Sequence, residues 1–148
     1  GVDLSAEYRV STKQLGRFTA RAAGSTVFHT IIKTRPDLAS LETLRTYEVP
    51  HFRGNASLTW HYQQFSTGVS ADYIAGFADL APSALRVKPQ TITGLQISYD
   101  LAAATKVTLG ANNVFNKNPP LTASTTGYAE QTNFFLPRFL YMEVTKKF

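Results

Sequence analysis

The sequence predicts an all-β protein, an antiparallel meander of about seven strands with one face suited to lipid. Three observations lead there. Apolar and polar residues alternate with period two through most of the chain. The connections between alternating segments are short, then long, then short again. Through the first six segments the apolar face carries no charged residue.

The segments follow in order. From Val2 to Val10 the apolar set is Val2, Leu4, Ala6, Tyr8 and Val10, against Asp3, Ser5, Glu7 and Arg9. From Gly16 to Ile32 one face carries Phe18, Ala20, Ala22, Gly24, Thr26, Phe28 and Ile32, and the other Arg17, Thr19, Arg21, Ser25 and His29. From Phe52 to Tyr62, Phe52, Gly54, Ala56, Leu58, Trp60 and Tyr62 oppose Arg53, Asn55, Ser57, Thr59 and His61. A fourth segment runs from Phe65 to Phe77, with Val69, Ala71 and Tyr73 opposite Ser66, Ser70 and Asp72. Leu95 to Leu101 and Val107 to Ala111 repeat the rhythm. The last strand is expected from about Phe135 to Phe148, with Leu140, Met142, Val144 and Phe148 on its apolar side.

Ser11 to Leu15, Gln63-Gln64 and Ala102 to Thr105 are short connections; Lys33 to Pro50, Ala78 to Gln90 and Asn113 to Asn133 are long. The first long connection is expected to hold one or two helical turns, with Asp37 capping Leu38, Leu41 and Leu44. Short turns at one end and long loops at the other is the asymmetry of an outer-membrane barrel. A soluble sandwich, the competing reading, would bury its apolar faces against each other. The apolar face here is thin in bulky aliphatics and rich in Ala, Gly and Thr, which pack a core poorly. Aromatics lie near the strand ends. Tyr8, Phe18, Trp60, Tyr62, Phe65, Tyr99 and Phe148 form one expected belt, and Phe28, Phe52, Phe77 and Phe115 the other. Ten residues separate Phe18 from Phe28, roughly 33 Å of strand. A tilt of about 40° reduces that to a height of roughly 25 Å, the apolar band of such barrels.

Composition narrows the chemistry. The 148 residues are 43% hydrophobic and 17% charged, with fewer charges than the usual quarter. With no cysteine there is neither a disulfide frame nor a thiolate nucleophile. Net charge is +5, but Lys and Arg are scattered, so no nucleic-acid stripe is expected. No apolar run is long enough for a transmembrane helix. Gly1 is not an initiator Met, so a processed or excised piece is expected. His29, His51 and His61 show no metal-ligand spacing. Asp3, Glu7, Asp72 and Glu143, facing Arg9, Arg17, Arg21 and Arg53, read as charge ladders rather than a catalytic carboxylate pair. No enzyme, metal or cofactor is expected.

The tail carries a resemblance. "VTLGANNVFNKNPP" followed by a loop and then "RFLYMEVTKKF" resembles the C-terminal end of TonB-dependent outer-membrane receptors. That family's penultimate strand commonly carries an Asn-Leu-Phe-Asp-Lys-like run, and Asn113-Val114-Phe115-Asn116-Lys117 matches it with Val for Leu and Asn for Asp. Asn112 precedes the run. The family typically ends on an aromatic residue after alternating apolar positions, as Leu140, Met142, Val144 and Phe148 do; Lys146 departs from that pattern. Alternation from Val107 would aim Asn113 at lipid. A bulge at Asn112-Asn113 would keep both amides inward, in a left-handed conformation that Asn tolerates. The plainer reading makes these residues a structural corner.

The resemblance implies the last third of a 22-stranded transmembrane barrel with a plugged lumen, set in the outer membrane of a Gram-negative bacterium. The plug and TonB box are not in this sequence. It implies an active-transport receptor for a scarce nutrient of the iron-siderophore, cobalamin or carbohydrate class. Its implied partners are outer-membrane lipid, the TonB system and the barrel-assembly machinery, which would read Leu140, Met142, Val144 and Phe148. Candidate ligand contacts are Arg35, Arg45, Tyr47, Arg86, Lys88 and Tyr128 in loops, with His51 and Arg53 at the lumen mouth. The alternatives are a soluble β-sandwich binding module and a passive porin-like wall.

Overall fold

The computed structural model describes all residues except 34, 46–48, 80–84, 103, 124–126, 131 and 148. In chain order, the long strands β1 (Val2–Thr12) and β2 (Gly16–Thr26) are followed by the short pair β3 (Ile31–Ile32) and β4 (Leu41–Glu42). β5 (Phe52–Tyr62) and β6 (Phe65–Ile74) form the next long hairpin, followed by the short pair β7 (Phe77–Ala78) and β8 (Arg86–Val87). The long strands β9 (Gln90–Leu101), β10 (Thr105–Asn112) and β11 (Phe139–Lys146) complete the chain. The long strands make one seven-stranded antiparallel sheet in the order β1-β2-β5-β6-β9-β10-β11. The meander expected from the alternation is therefore present.

The register turns alternation along each strand into rows across the sheet. Val10, Phe18, Trp60, Thr67, Ile97, Leu109 and Met142 are successive cross-strand partners. One residue along lies the row Ser11, Arg17, His61, Ser66, Ser98, Thr108 and Glu143. Because side chains alternate faces, the first row lies on the apolar face and the second on the polar one. Nearer the long loops runs a row of small residues, Ala6, Ala22, Ala56 and Ala71. All three short connections, 13–15, 63–64 and 102–104, lie at one end of the sheet. The long ones, 27–51, 75–89 and 113–138, lie at the other.

No other element packs across the sheet: among the described elements each long strand touches only its neighbours in the meander. The apolar face is accordingly bare, with Leu4 73% and Met142 69% exposed. What core there is sits at the long-loop end, where Phe77, Val87 and Ala129 cluster.

The turn end is fastened by aromatic and backbone contacts. Trp60 Nε1 donates to Leu15 O at 2.7 Å, tying the β1–β2 turn to β5. Its ring lies 6.1 Å from Tyr62, nearly parallel, while Phe65 and Tyr99 meet at 4.8 Å. Gly16 has φ +81°, and a β-carbon there would lie 2.3 Å from His61 O; only glycine fits. At the far end of β5 the Phe52 ring covers Gly24 and Gly54 and lies 6.0 Å from Tyr73.

Several expected boundaries shift. β2 stops at Thr26 rather than Ile32, because Ile31–Ile32 pairs instead with Leu41–Glu42. The expected helical turns after Asp37 are absent; one turn bond joins Leu38 N to Arg35 O, and Leu41 is in β4. β6 stops at Ile74, and Phe77 is 2% exposed in the loop core, so it leaves the expected belt. Phe28 and Phe115 lie beyond their strands. Phe52 and Tyr62, at the two ends of β5, instead supply the ten-residue separation, again roughly 33 Å of strand. β9 begins at Gln90, five residues before the expected Leu95, and Ile92 there is buried on the polar side. β11 begins at Phe139 rather than Phe135, because Asn133 and Phe134 are bonded to Gln90 of β9 and Leu136 to Asn113 instead. Phe148 lies outside the described residues.

Candidate functional site

The long-loop end gathers most of the buried polar groups among the described residues. Three loops meet there, and each is held by a specific set of hydrogen bonds.

The loop 27–51 is closed by Glu42. Its Oε1 accepts from the backbone N–H groups of Thr30 (2.8 Å) and Leu44 (3.0 Å), and its Oε2 lies 3.0 Å from His29 Nδ1. These two backbone donors, with His29 third, hold the carboxyl at about 2, well below its ordinary 4.5. Thr43 N and Oγ1 both donate to Thr30 O, at 2.7 and 3.1 Å. Arg45, at φ 63°, donates from N to Val49 O and accepts from Ala78 N, which joins this loop to the loop 75–89.

The loop 113–138 is clamped to itself and to the sheet. β10 ends at Asn112, and Asn113 follows at φ 48°. The expected bulge is thus a strand end followed by a left-handed corner. Asn113 is 1% exposed; its Nδ2 donates to Lys117 O (2.8 Å) and Leu136 O (2.6 Å), and its Oδ1 accepts from Lys117 N (2.9 Å). Asn116, at φ 50°, accepts from Arg138 N through Oδ1 at 3.0 Å. The two asparagines of the tail motif are the base of a loop. Phe115 points away, 69% exposed. Further along, Gln90 Oε1 accepts from Phe134 N (3.0 Å) and Asn133 Nδ2 (3.1 Å), and Gln90 Nε2 donates to Phe134 O (2.9 Å). Since Gln90 shares a row with Ser25 and Arg53, these bonds fold the loop over the polar face.

Two cavities result. One, about 410 Å³, lies mainly on the polar face and is lined by Asp3, Arg53, Asn55, Asp72 and Phe134, among others. The second, about 570 Å³, lies between the loops and is lined by Arg45, His51, Arg86 and Lys88 over Phe77 and Val87. The candidate contacts therefore separate. Arg45, His51, Arg86 and Lys88 share one cavity, and Arg53 lines the other. Arg35 lines neither, and Tyr128 stacks on Phe135 at 5.3 Å. Tyr47 lies outside the described residues. Gln90, Asn133 and Phe134, which shape the site, were not among the candidates. Gln90 keeps to the polar side, in the row of Ser25 and Arg53, and Asn133 and Phe134 lie in no strand, so no alternation marks the three as a set.

On the polar face the expected charge ladder is present around β1. Glu7 lies between Arg9 and Arg21, with Arg21 Nε 2.6 Å from its Oε2. Nearer the turns, Lys106 and Asp100 pair at 3.4 Å. His61 Nδ1 lies 2.7 Å from Ser66 Oγ. No group of three His, Cys, Asp or Glu side chains that could hold a metal ion exists among the described residues.

No family model, curated protein or solved structure matches this chain.

Proposed function

We propose that the chain forms part of the wall of an outer-membrane β-barrel, and that the barrel is a TonB-dependent receptor importing a scarce nutrient. The observation that carries the wall reading is the apolar face of the seven-stranded sheet. Its rows are apolar or small from β1 to β10, it has aromatic rings at both ends, and no other element among the described residues packs on it. In water such a face is a large unpaired hydrophobic surface; in a bilayer it is at home. Both outer strands, β1 and β11, keep one unpaired edge, which lipid does not tolerate. Further strands must pair there, and a wall of 22 strands would supply them.

The receptor reading draws on the tail motif and on the loops gathered at one end. Its ligand would be of the iron-siderophore, cobalamin or carbohydrate class, taken up through a plug moved by TonB. The terminal strand would be read by the assembly machinery. The test uses the full-length protein. It should fractionate with the outer membrane, migrate on gels as a heat-modifiable folded form, and support nutrient uptake only in cells with TonB. Solubility without detergent would refute the wall. Uptake that persists without TonB would make the barrel a passive pore.

A further inference from the structure

The cavity between the loops carries an excess of positive charge that no carboxylate among the described residues neutralises. Arg45, Arg86 and Lys88 line it, and none of them pairs with a carboxylate among the described residues. Asp79, next to Ala78 of the lining, is buried, accepts a hydrogen bond from Ala123 N and does not line the cavity. His51 lines the same cavity, with its Nδ1 shut off from solvent and without a hydrogen-bond partner among the described residues. Arg45 is held in the left-handed region at φ 63° by its bonds to Val49 and Ala78, which is unfavourable for a long side chain. The buried side chains of Phe77 and Val87, 2% and 1% exposed, form an apolar wall that strengthens electrostatic attraction beside it.

We propose that this cavity binds a small polyvalent oxyanion, a molecule carrying two or more carboxylate or phosphate groups. Guanidinium groups match either oxyanion through paired N–H donors. A volume of about 570 Å³ accommodates a molecule of that kind. The inference rests on the cavity alone and stands whether or not transport depends on TonB.

The test uses the intact protein in detergent at fixed ionic strength, with inorganic pyrophosphate and citrate as probes and maltose as the neutral control, followed by titration calorimetry. At least one oxyanion should bind and maltose should not. Replacing Arg86→Gln together with Lys88→Gln should weaken binding roughly tenfold or more, because hydrogen bonds to charged groups are among the strong ones. A second measurement needs no variant. In the unaltered protein, the bound oxyanion should slow acetylation of Lys88 and leave Lys13, in the β1–β2 turn at the opposite end, unchanged. Failure of both oxyanions to bind, undiminished binding in the folded double variant, or equal effects on Lys88 and Lys13 would each overturn the proposal.

Discussion

The side-chain amide of Asn113 donates to the carbonyl oxygen of Leu136 at 2.6 Å, joining residues on opposite arms of the longest loop. The same amide also holds Lys117 at both its N–H and its C=O. One buried side chain in a left-handed corner thus closes the β10–β11 connection.

Replacing Asn113→Ala should cost about 2–4 kcal/mol, from buried backbone groups left unpaired and a φ that alanine resists. Asn113→Gly keeps the backbone conformation and should fall between alanine and the native residue. The unfolding temperature of the heat-modifiable folded form, read on gels, checks this. Equal midpoints for all three proteins would show that the clamp contributes nothing.

Ala22 and Ala23 are adjacent but face opposite ways, Ala22 in the row of Ala6 and Ala56 and Ala23 in the row of Ser5 and Asn55. If the first face meets lipid, Ala22→Arg near the midplane should cost about 2–4 kcal/mol. Ala23→Arg, beside Asp3 and Asp72 on the polar face, should cost under about 1 kcal/mol, as surface changes do. A larger loss at Ala23 than at Ala22 would invert the assignment of faces.

The loop 27–51 is expected on the outside of the cell. A cysteine at Ser40, which is exposed, should react with a membrane-impermeant maleimide in intact cells. Labelling confined to cells with a broken outer membrane would reverse the orientation.

Glu42 makes its loop sensitive to acid. Its folded pKa of about 2 lies below the ordinary 4.5. The stabilisation is therefore complete above about pH 4.5 and fades as pH falls toward 2. At pH 5, Glu42→Gln should raise amide hydrogen exchange at Thr30 and Leu44, and near pH 2 the difference from the native protein should shrink. A difference that stays constant between those pH values would remove the carboxylate from the loop's closure.

The sheet was legible because each long strand pairs with its neighbour in sequence, so local alternation and the final register carry the same information. Phe52 to Tyr62 is the clearest case, with both faces and both ends as read. The pattern failed where residues of the chain are buried at the long-loop end of the sheet. Ile92 is buried on the polar side, opposite Asp72, and Phe77 leaves the belt for the loop core. The cations of the second cavity were visible as residues. Their convergence was not, since the contact that joins the two loops, Arg45 O to Ala78 N, has no periodic signal. The role of Asn113 was hidden for the same reason: its partner Leu136 comes 23 residues later.

The strand order has a consequence for how the sheet is made. Within the sheet, each long strand after β1 pairs with the long strand that precedes it in the chain. Growth can proceed by adding one hairpin at a time to a single advancing edge. The long connections slow each addition only a little, because the entropy of closing a loop rises with the logarithm of its length. A partly built sheet presents the same kind of edge at every stage, with one row of free N–H and C=O groups. A catalyst that can template one such edge therefore meets the same substrate at each step and needs no information about which strand has arrived.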